Sequence, residues 1–181
     1  MQQPTLNTER LLLRSFTLTD APIVQRLAGS RAVADTTLNI PHPYPDGAAA
    51  QWIGTHQQAF ANTTGVIFAI VLRETNELCG AISLGITKQH HRAEMGYWLG
   101  VSYWNQGYTT EAARTLLGYG FNELQLHRIN AHHLTRNPAS GRVMQKIGMT
   151  YEGTLREHIC KGEQLEDIVC YGILRREWAG H

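Results

Sequence analysis

Hydrophobic and polar positions along this 181-residue chain change period several times, and each change marks an element. Arg10–Phe16 has a nearly continuous apolar centre, Leu11-Leu12-Leu13, and predicts a strand. Thr19-Asp20-Ala21-Pro22 predicts a helix start, with Asp20 a candidate cap and Pro22 tolerated in the first turn. That helix runs through Val24, Leu27 and Ala28 to Gly29. Residues 30–46 hold His42-Pro43-Tyr44-Pro45, a stiff extended segment that does not continue a helix. From Asp46 to Asn62 the apolar positions Ala49, Trp52, Ile53 and Phe60 recur at helical spacing. Val66–Leu72 and Leu78–Leu84 flank a charged turn and predict an antiparallel hairpin; after a polar turn at 88–92, Ala93–Leu99 reads as another strand. Thr109–Phe121 is helix-like and Arg128–Leu134 strand-like. Asn137-Pro138 opens a helix over Ala139–Ile147 that Gly148 closes. Tyr151–Ile159 and Leu165–Leu174 form a last hairpin turning at Lys161-Gly162-Glu163. About seven strands mixed with helices in this order predict an α/β (α+β) fold with a mostly antiparallel central sheet. No repeat, low-complexity tract or linker divides the chain, so residues 1–181 are expected to form a single domain.

Composition narrows the function. Apolar residues make up 43% of the chain, which suits a folded globule. The net charge of +1 gives no global electrostatic case for nucleic acid or a membrane surface. Cys79, Cys160 and Cys170 are odd in number and far apart, as expected of reduced, partly buried thiols in a cytoplasmic protein. The N-terminal residues lack the basic flank and apolar centre of a signal peptide, and no apolar run approaches the span of a bilayer. Histidines occur as neighbours, His90-His91 and His132-His133. Adjacent strand residues point to opposite faces, so neither pair chelates well, and no metal site is expected.

The richest stretch is Val101-Ser-Tyr-Trp-Asn-Gln-Gly-Tyr-Thr-Thr-Glu-Ala-Ala113. It joins a strand-like run to a helix-like run through a polar turn carrying Gly107. The unpaired N–H groups of a first helical turn and the positive end of its dipole make such a junction an anion cradle. Gly107 permits unusual torsions and close ligand approach. Thr109 or Thr110 is placed to cap the helix, and Glu111 puts an acid in its first turn.

Six segments in order resemble the GNAT superfamily of N-acetyltransferases, and within it the RimJ/RimL-like branch (ribosomal-protein-alanine N-acetyltransferase-like). They are Thr8-Glu-Arg-Leu-Leu-Leu-Arg14, Gly80-Ala-Ile-Ser-Leu84, Ala93-Glu-Met-Gly-Tyr-Trp-Leu99, Trp104-Asn-Gln-Gly-Tyr-Thr-Thr-Glu-Ala112, Asn137-Pro-Ala-Ser-Gly-Arg-Val-Met-Gln-Lys-Ile-Gly-Met149 and Arg175-Arg-Glu-Trp178. The resemblance implies the GNAT acyl-CoA N-acyltransferase fold and transfer of the acetyl group of acetyl-CoA to a primary amine. The acceptor is a protein N-terminus or a small molecule, attacking directly in a ternary complex. A non-catalytic acyl-CoA-binding or sensor module is the alternative. In the family's Gln/Arg-x-x-Gly-x-Gly/Ala loop pattern this chain has Trp104 in the first place and Thr109 in the last, and retains Gly107. Side-chain changes there need not abolish a pocket that works through backbone N–H groups.

On the same resemblance, acetyl-CoA is expected to meet Leu99, Val101, Asn105, Gln106, Gly107, Tyr108, Thr109, Thr110, Asn137 and Arg142. A backbone N–H between Tyr97 and Leu99 is expected to face the developing oxyanion. An alkyl amine is mostly protonated at neutral pH, so attack on a thioester needs a base. Glu94 matches the family position of that base, and also reads as a strand-end carboxylate paired with Arg92 or another cation. Ser140 matches the family serine near the CoA sulfur, and also reads as a first-turn residue satisfying local backbone. His132 or His133 is an auxiliary base candidate. Tyr44, Trp52 and Tyr97 are candidates to shape the acceptor pocket. Arg31, Asp35, His42, Glu157 and His158 are further acceptor-side candidates. A homodimer through the final strands is a possible assembly.

Overall fold

The structure, a computed structural model, describes residues 2–178. In chain order its elements are β1 (Leu6–Asn7), β2 (Leu11–Arg14), α1 (Ala21–Ala28), α2 (Arg31–Thr36), α3 (Ala48–Gly54), α4 (His56–Ala61), β3 (Gly65–Leu72), β4 (Leu78–Thr87) and β5 (Arg92–Leu99). They continue as α5 (Tyr108–Asn122), β6 (Arg128–Leu134), α6 (Pro138–Lys146), β7 (Thr150–Lys161) and β8 (Gln164–Leu174). The strands form one sheet in the order β1-β2-β3-β4-β5-β6-β8-β7. Every neighbouring pair is antiparallel except β5 and β6. Parallel neighbours need a crossover, and α5 supplies it.

Alternation along the strands gives the sheet two buried faces. One face packs Phe68, Ile82, Leu84 and Ile129 against Leu116, Leu117 and Phe121 of α5 and Met144 of α6. The other packs Ala69, Val71 and Leu78 against Val24 and Ala28 of α1 and Ala49 and Ile53 of α3. Burying each large apolar side chain contributes roughly 1.5–3 kcal/mol before the cost of ordering the chain.

The expected fold class holds, with eight strands rather than seven. The additional strand is the two-residue β1, whose pairing with Leu12 and Leu13 has no periodic signal of its own. Three local expectations are corrected. Within residues 30–46 the chain makes a further helix, α2, before the His42–Pro43 segment. The stretch 46–62 is two helices that part at Thr55, whose amide turns to the i−3 carbonyl of Trp52 at 3.1 Å while its hydroxyl donates to the same carbonyl at 2.7 Å. Asp20 does not cap α1 with its side chain. Its carboxylate instead accepts two hydrogen bonds from Arg14, each 2.8 Å, and one from the Thr17 amide. Burial raises its pKa, but these partners outweigh burial and hold it below the usual range. Of the three free cysteines, Cys79 is buried and Cys170 half-buried, whereas Cys160 is exposed. No helix among the described residues is long and apolar enough to cross a membrane.

Candidate active site

The parallel pairing of β5 with β6 lasts three residue pairs, Arg92 with Arg128, Ala93 with Ile129 and Glu94 with Asn130. Beyond Glu94 the strands diverge while β5 stays paired to β4 as far as Leu99. The Gly100 amide donates to Cys79 of β4 at 2.8 Å. By alternation, the amides of Tyr97 and Leu99 then face the opening. A cleft of about 720 Å³ runs through this opening.

At one end of the cleft lies the turn before α5. Gly107 caps the helix with φ +82°, and Asn105 is also left-handed at φ +60°. These torsions turn the amides of residues 106–110 outward, and none of them has an intramolecular hydrogen-bond partner among the described residues. The expected caps Thr109 and Thr110 therefore sit within the first turn, and the cap is Gly107. A Cβ on Gly107 would lie 3.4 Å from Arg10 Nη2, because Arg10 braces the turn from beneath. Its guanidinium donates to the Gln106 carbonyl at 3.1 Å and lies 4.7 Å from the Tyr108 ring centroid.

Glu111 holds that brace. Its carboxylate accepts from Thr8 Oγ1 at 2.5 Å, from the Arg10 amide at 2.8 Å and from Arg10 Nε at 2.7 Å. Burial raises the Glu111 pKa, but these bonds overcome it and keep the pKa below the usual carboxylate range. From the sequence Glu111 is only a dipole partner, and Arg10 does not stand out as part of the site. The signal was present in Thr8-Glu-Arg10, but nothing local tied it to residue 111. Trp104 closes the loop from the other side, its indole N–H donating to the Leu99 carbonyl at 2.8 Å.

Ser140 and Tyr97 meet where α6 approaches β5. Tyr97 Oη is 2.8 Å from Ser140 Oγ and 3.2 Å from the Ser140 carbonyl. Burial pushes the Tyr97 pKa up to about 12, although the Ser140 hydrogen bond lowers it somewhat. One phenolic proton thus has two acceptors on the same residue. Asn137 caps α6, accepting from the Ser140 amide at 3.3 Å, while its Nδ2 donates to the Thr36 carbonyl at 3.0 Å. Lys161, from the tip of the β7–β8 hairpin, donates to the neighbouring carbonyls of Ala34 and Thr37. Two distant side chains therefore fix the end of α2 as a wall of the cleft.

Glu94 faces the cleft from the end of the β5–β6 pairing, its side chain 53% exposed, with Oε1 3.4 Å from His132 Nε2. The partner is His132 and not Arg92. His133 points to the opposite face, where it is buried and its Nδ1 lies 2.8 Å from the Leu134 carbonyl. Its ring stacks on Tyr171, and α6 approaches so closely that a Cβ on Gly141 would lie 2.7 Å from His133 Nε2. Among the described residues no group of three His, Cys, Asp or Glu side chains is placed to hold a metal.

Of the residues singled out from sequence, the cleft gathers Glu94, Leu99, Asn105, Gly107, Tyr108, Thr109, Thr110, Asn137, Ser140 and Arg142, with Tyr44, Trp52 and Tyr97. Val101 and Gln106 do not line it. Val101 is exposed, and the Gln106 side chain donates to the Ser102 carbonyl. Arg31, Asp35, His42, Glu157 and His158 also lie outside the lining.

An outward row of amides at a helix N-terminus, opening into a passage between splayed strands, suits a diphosphate with a narrow arm threaded behind it. Comparison with known proteins agrees. The model of the acetyltransferase (GNAT) domain matches residues 10–150. The chain is 34% identical over 177 residues to the uncharacterized N-acetyltransferase YnaD of Bacillus subtilis, covering 96% of this chain and 98% of YnaD. It is 33% identical over 178 residues to the uncharacterized N-acetyltransferase p20 of Bacillus licheniformis, covering 97% and 99%. A crystal structure of a GNAT-family acetyltransferase from Bacillus anthracis superposes with a TM-score of 0.86 at 31% identity, covering 96% of this chain and all of that one. The chain belongs to the GNAT family and is an acetyl-CoA-dependent N-acetyltransferase.

Proposed function

We propose that residues 1–181 act as one catalytic domain that acetylates a primary amine by direct attack, in the cytoplasm, where its three unpaired thiols would stay reduced. The carrying observation is the early end of the β5–β6 pairing, which joins the phosphate cradle on one sheet face to Glu94 on the other. Acetyl-CoA supplies the acetyl group as a thioester, held by the amides of residues 107–110 and reaching along the gap beside Asn137. Glu94 takes a proton from the incoming ammonium. His132 lies within reach to share that proton, so the dyad holds it away from the nitrogen during attack. An amide of Tyr97 or Leu99 faces the developing oxyanion. Ser140 delivers a proton to the departing thiolate and is resupplied across its 2.8 Å contact with Tyr97, and the proton that the nitrogen sheds as the amide forms restores the pair, so no net proton is left on either residue. Because thiolate is a fair leaving group, positioning carries much of the rate.

Both protein and small-molecule acceptors fit this chemistry. One relative, 22% identical over 76% of this chain, is the [ribosomal protein uS5]-alanine N-acetyltransferase of Escherichia coli. The test is Glu94→Gln. Acetyl-CoA affinity by calorimetry is expected to stay within about twofold, while kcat falls about 100-fold or more, in the range for loss of a general base. Unchanged turnover would remove Glu94 from the reaction. Tight acetyl-CoA binding without turnover of any amine by the unmodified protein would favour a sensor.

A further inference from the structure

The half of the cleft away from the cradle has a composition that narrows the acceptor. Glu94 is the one carboxylate lining the cleft among the described residues. The two lining cations, Arg142 and Lys146, both lie on α6, on the cradle side. Along β5 the floor then runs from Glu94 over Gly96 to Trp98, residues that share a face and step by about 7 Å each. The β4 partners of Gly96 and Trp98 are Ser83 and Ala81, both small. A Cβ built on Gly96 would meet only Ser83 Oγ, at 3.4 Å, so the space above this floor is open. Tyr44, Trp52 and Trp98 all line the cleft and each packs against the second apolar cluster.

The polarity the rim offers is that of Asn39 and the Tyr44 hydroxyl, because its two threonines are already engaged. The Thr36 hydroxyl donates to the carbonyls of Ala32 and Val33, and that of Thr37 to Val33 and Ala34, so both are engaged within α2. A peptide entering here would bury backbone donors and acceptors with few partners, which is costly. A polyamine would place its second and third charges against Ile40, Tyr44 and Trp98 with no carboxylate to meet them.

Resting on the N-acetyltransferase reading above, we propose that the acceptor is a small monoamine carrying an apolar or aromatic substituent. Its nitrogen docks at Glu94, its first carbons lie over Gly96, and its far end packs against Trp98. Ser83, Ala81 and Gly96 set the depth of this subsite and so act as its specificity determinants.

The experiment follows CoA thiol release by the full chain with acetyl-CoA and a graded set of acceptors: ethylamine, butylamine, hexylamine, phenethylamine, tryptamine, spermidine and an alanine-initiated peptide. The expected result is a rise in kcat/KM of roughly fourfold per buried methylene. Phenethylamine or tryptamine should exceed spermidine and the peptide by about tenfold or more, the worth of two such methylenes. In Gly96→Val the ratio of phenethylamine to ethylamine kcat/KM should fall about tenfold, because the added side chain fills the floor. That ratio is internal to one preparation and does not move with the amount of folded protein. A flat series, or preference for spermidine or the peptide, would overturn this acceptor class and leave the N-acetyltransferase reading standing. If no amine releases CoA, the catalytic reading fails, and calorimetry of phenethylamine with the CoA-bound protein then decides the pocket. Saturable binding lost in Gly96→Val supports the apolar subsite; no binding overturns it.

Discussion

His56 offers a direct test of the physical account of the acceptor-side wall. It opens α4 at 7% exposure, its ring edge-on to Trp52 at 4.4 Å and to Phe16 at 5.4 Å. Among the described residues neither ring nitrogen has a hydrogen-bond partner. Burial therefore drives its pKa down to about 4. The unfolded chain carries this imidazole near 6.5. As pH falls through that value the unfolded state takes up a proton that the folded state refuses. Stability from this group is intact above about 6.5, declines down to about 4 and then levels. Between pH 7.5 and 4.5 the linkage amounts to about 2.5 kcal/mol.

His56→Phe keeps an aromatic ring between Trp52 and Phe16 and removes the titration. Relief of two unpaired nitrogens and slight overpacking oppose each other, so the change at pH 7.5 should be within about 1 kcal/mol. The informative quantity is the difference of differences, in which packing and all other titrating groups cancel. Urea unfolding followed by far-ultraviolet circular dichroism at both pH values should show the variant gaining about 2.5 kcal/mol over the parent on acidification. Parallel pH profiles, agreeing within about 0.5 kcal/mol where linkage requires about 2.5, would refute the placement of a neutral, unpartnered His56 in this wall.

Two further perturbations test the machinery. Glu111→Gln puts an NH2 donor in place of Oε2, the acceptor that holds the Arg10 guanidinium under the Gly107 turn, and acetyl-CoA Kd by calorimetry should weaken on the order of tenfold, with kcat at saturation changing far less. An unchanged Kd would show that the turn holds its shape without the brace. Tyr97→Phe removes the proton supplied to Ser140 and should lower kcat about tenfold or more without altering acetyl-CoA affinity. With the Tyr97 pKa near 12 the phenol stays protonated through neutral pH, so that loss should be constant from pH 6 to 9. A loss appearing only above pH 8 would argue against this role.

Several parts of this molecule were legible in the residues alone. The hairpin of β3 and β4, the left-handed turn at Gly107 and the Asn137 cap of α6 each depend on neighbours in sequence. Two apolar runs flanking a charged turn, a residue without Cβ and a short polar side chain before proline are local signals, and local backbone geometry answers to them. The family motifs likewise located the cradle and Glu94. Other features were written in no single stretch. α2 has only six residues, and α3 parts from α4 at the single residue Thr55. Glu111 meets Arg10 across 101 positions, Asn137 reaches Thr36 across 101, and Lys161 reaches Ala34 across 127. Glu94 faces His132 because β6 runs parallel beside β5 for three pairs and then turns away. The order of residues sets where the candidate amides, carboxylate and hydroxyl lie along the chain, since those properties belong to the residues and their immediate neighbours. Which of them meet, how far the strands open and which residues floor the cleft follow only from the assembled sheet, because contacts between distant segments exist only once register and packing are set.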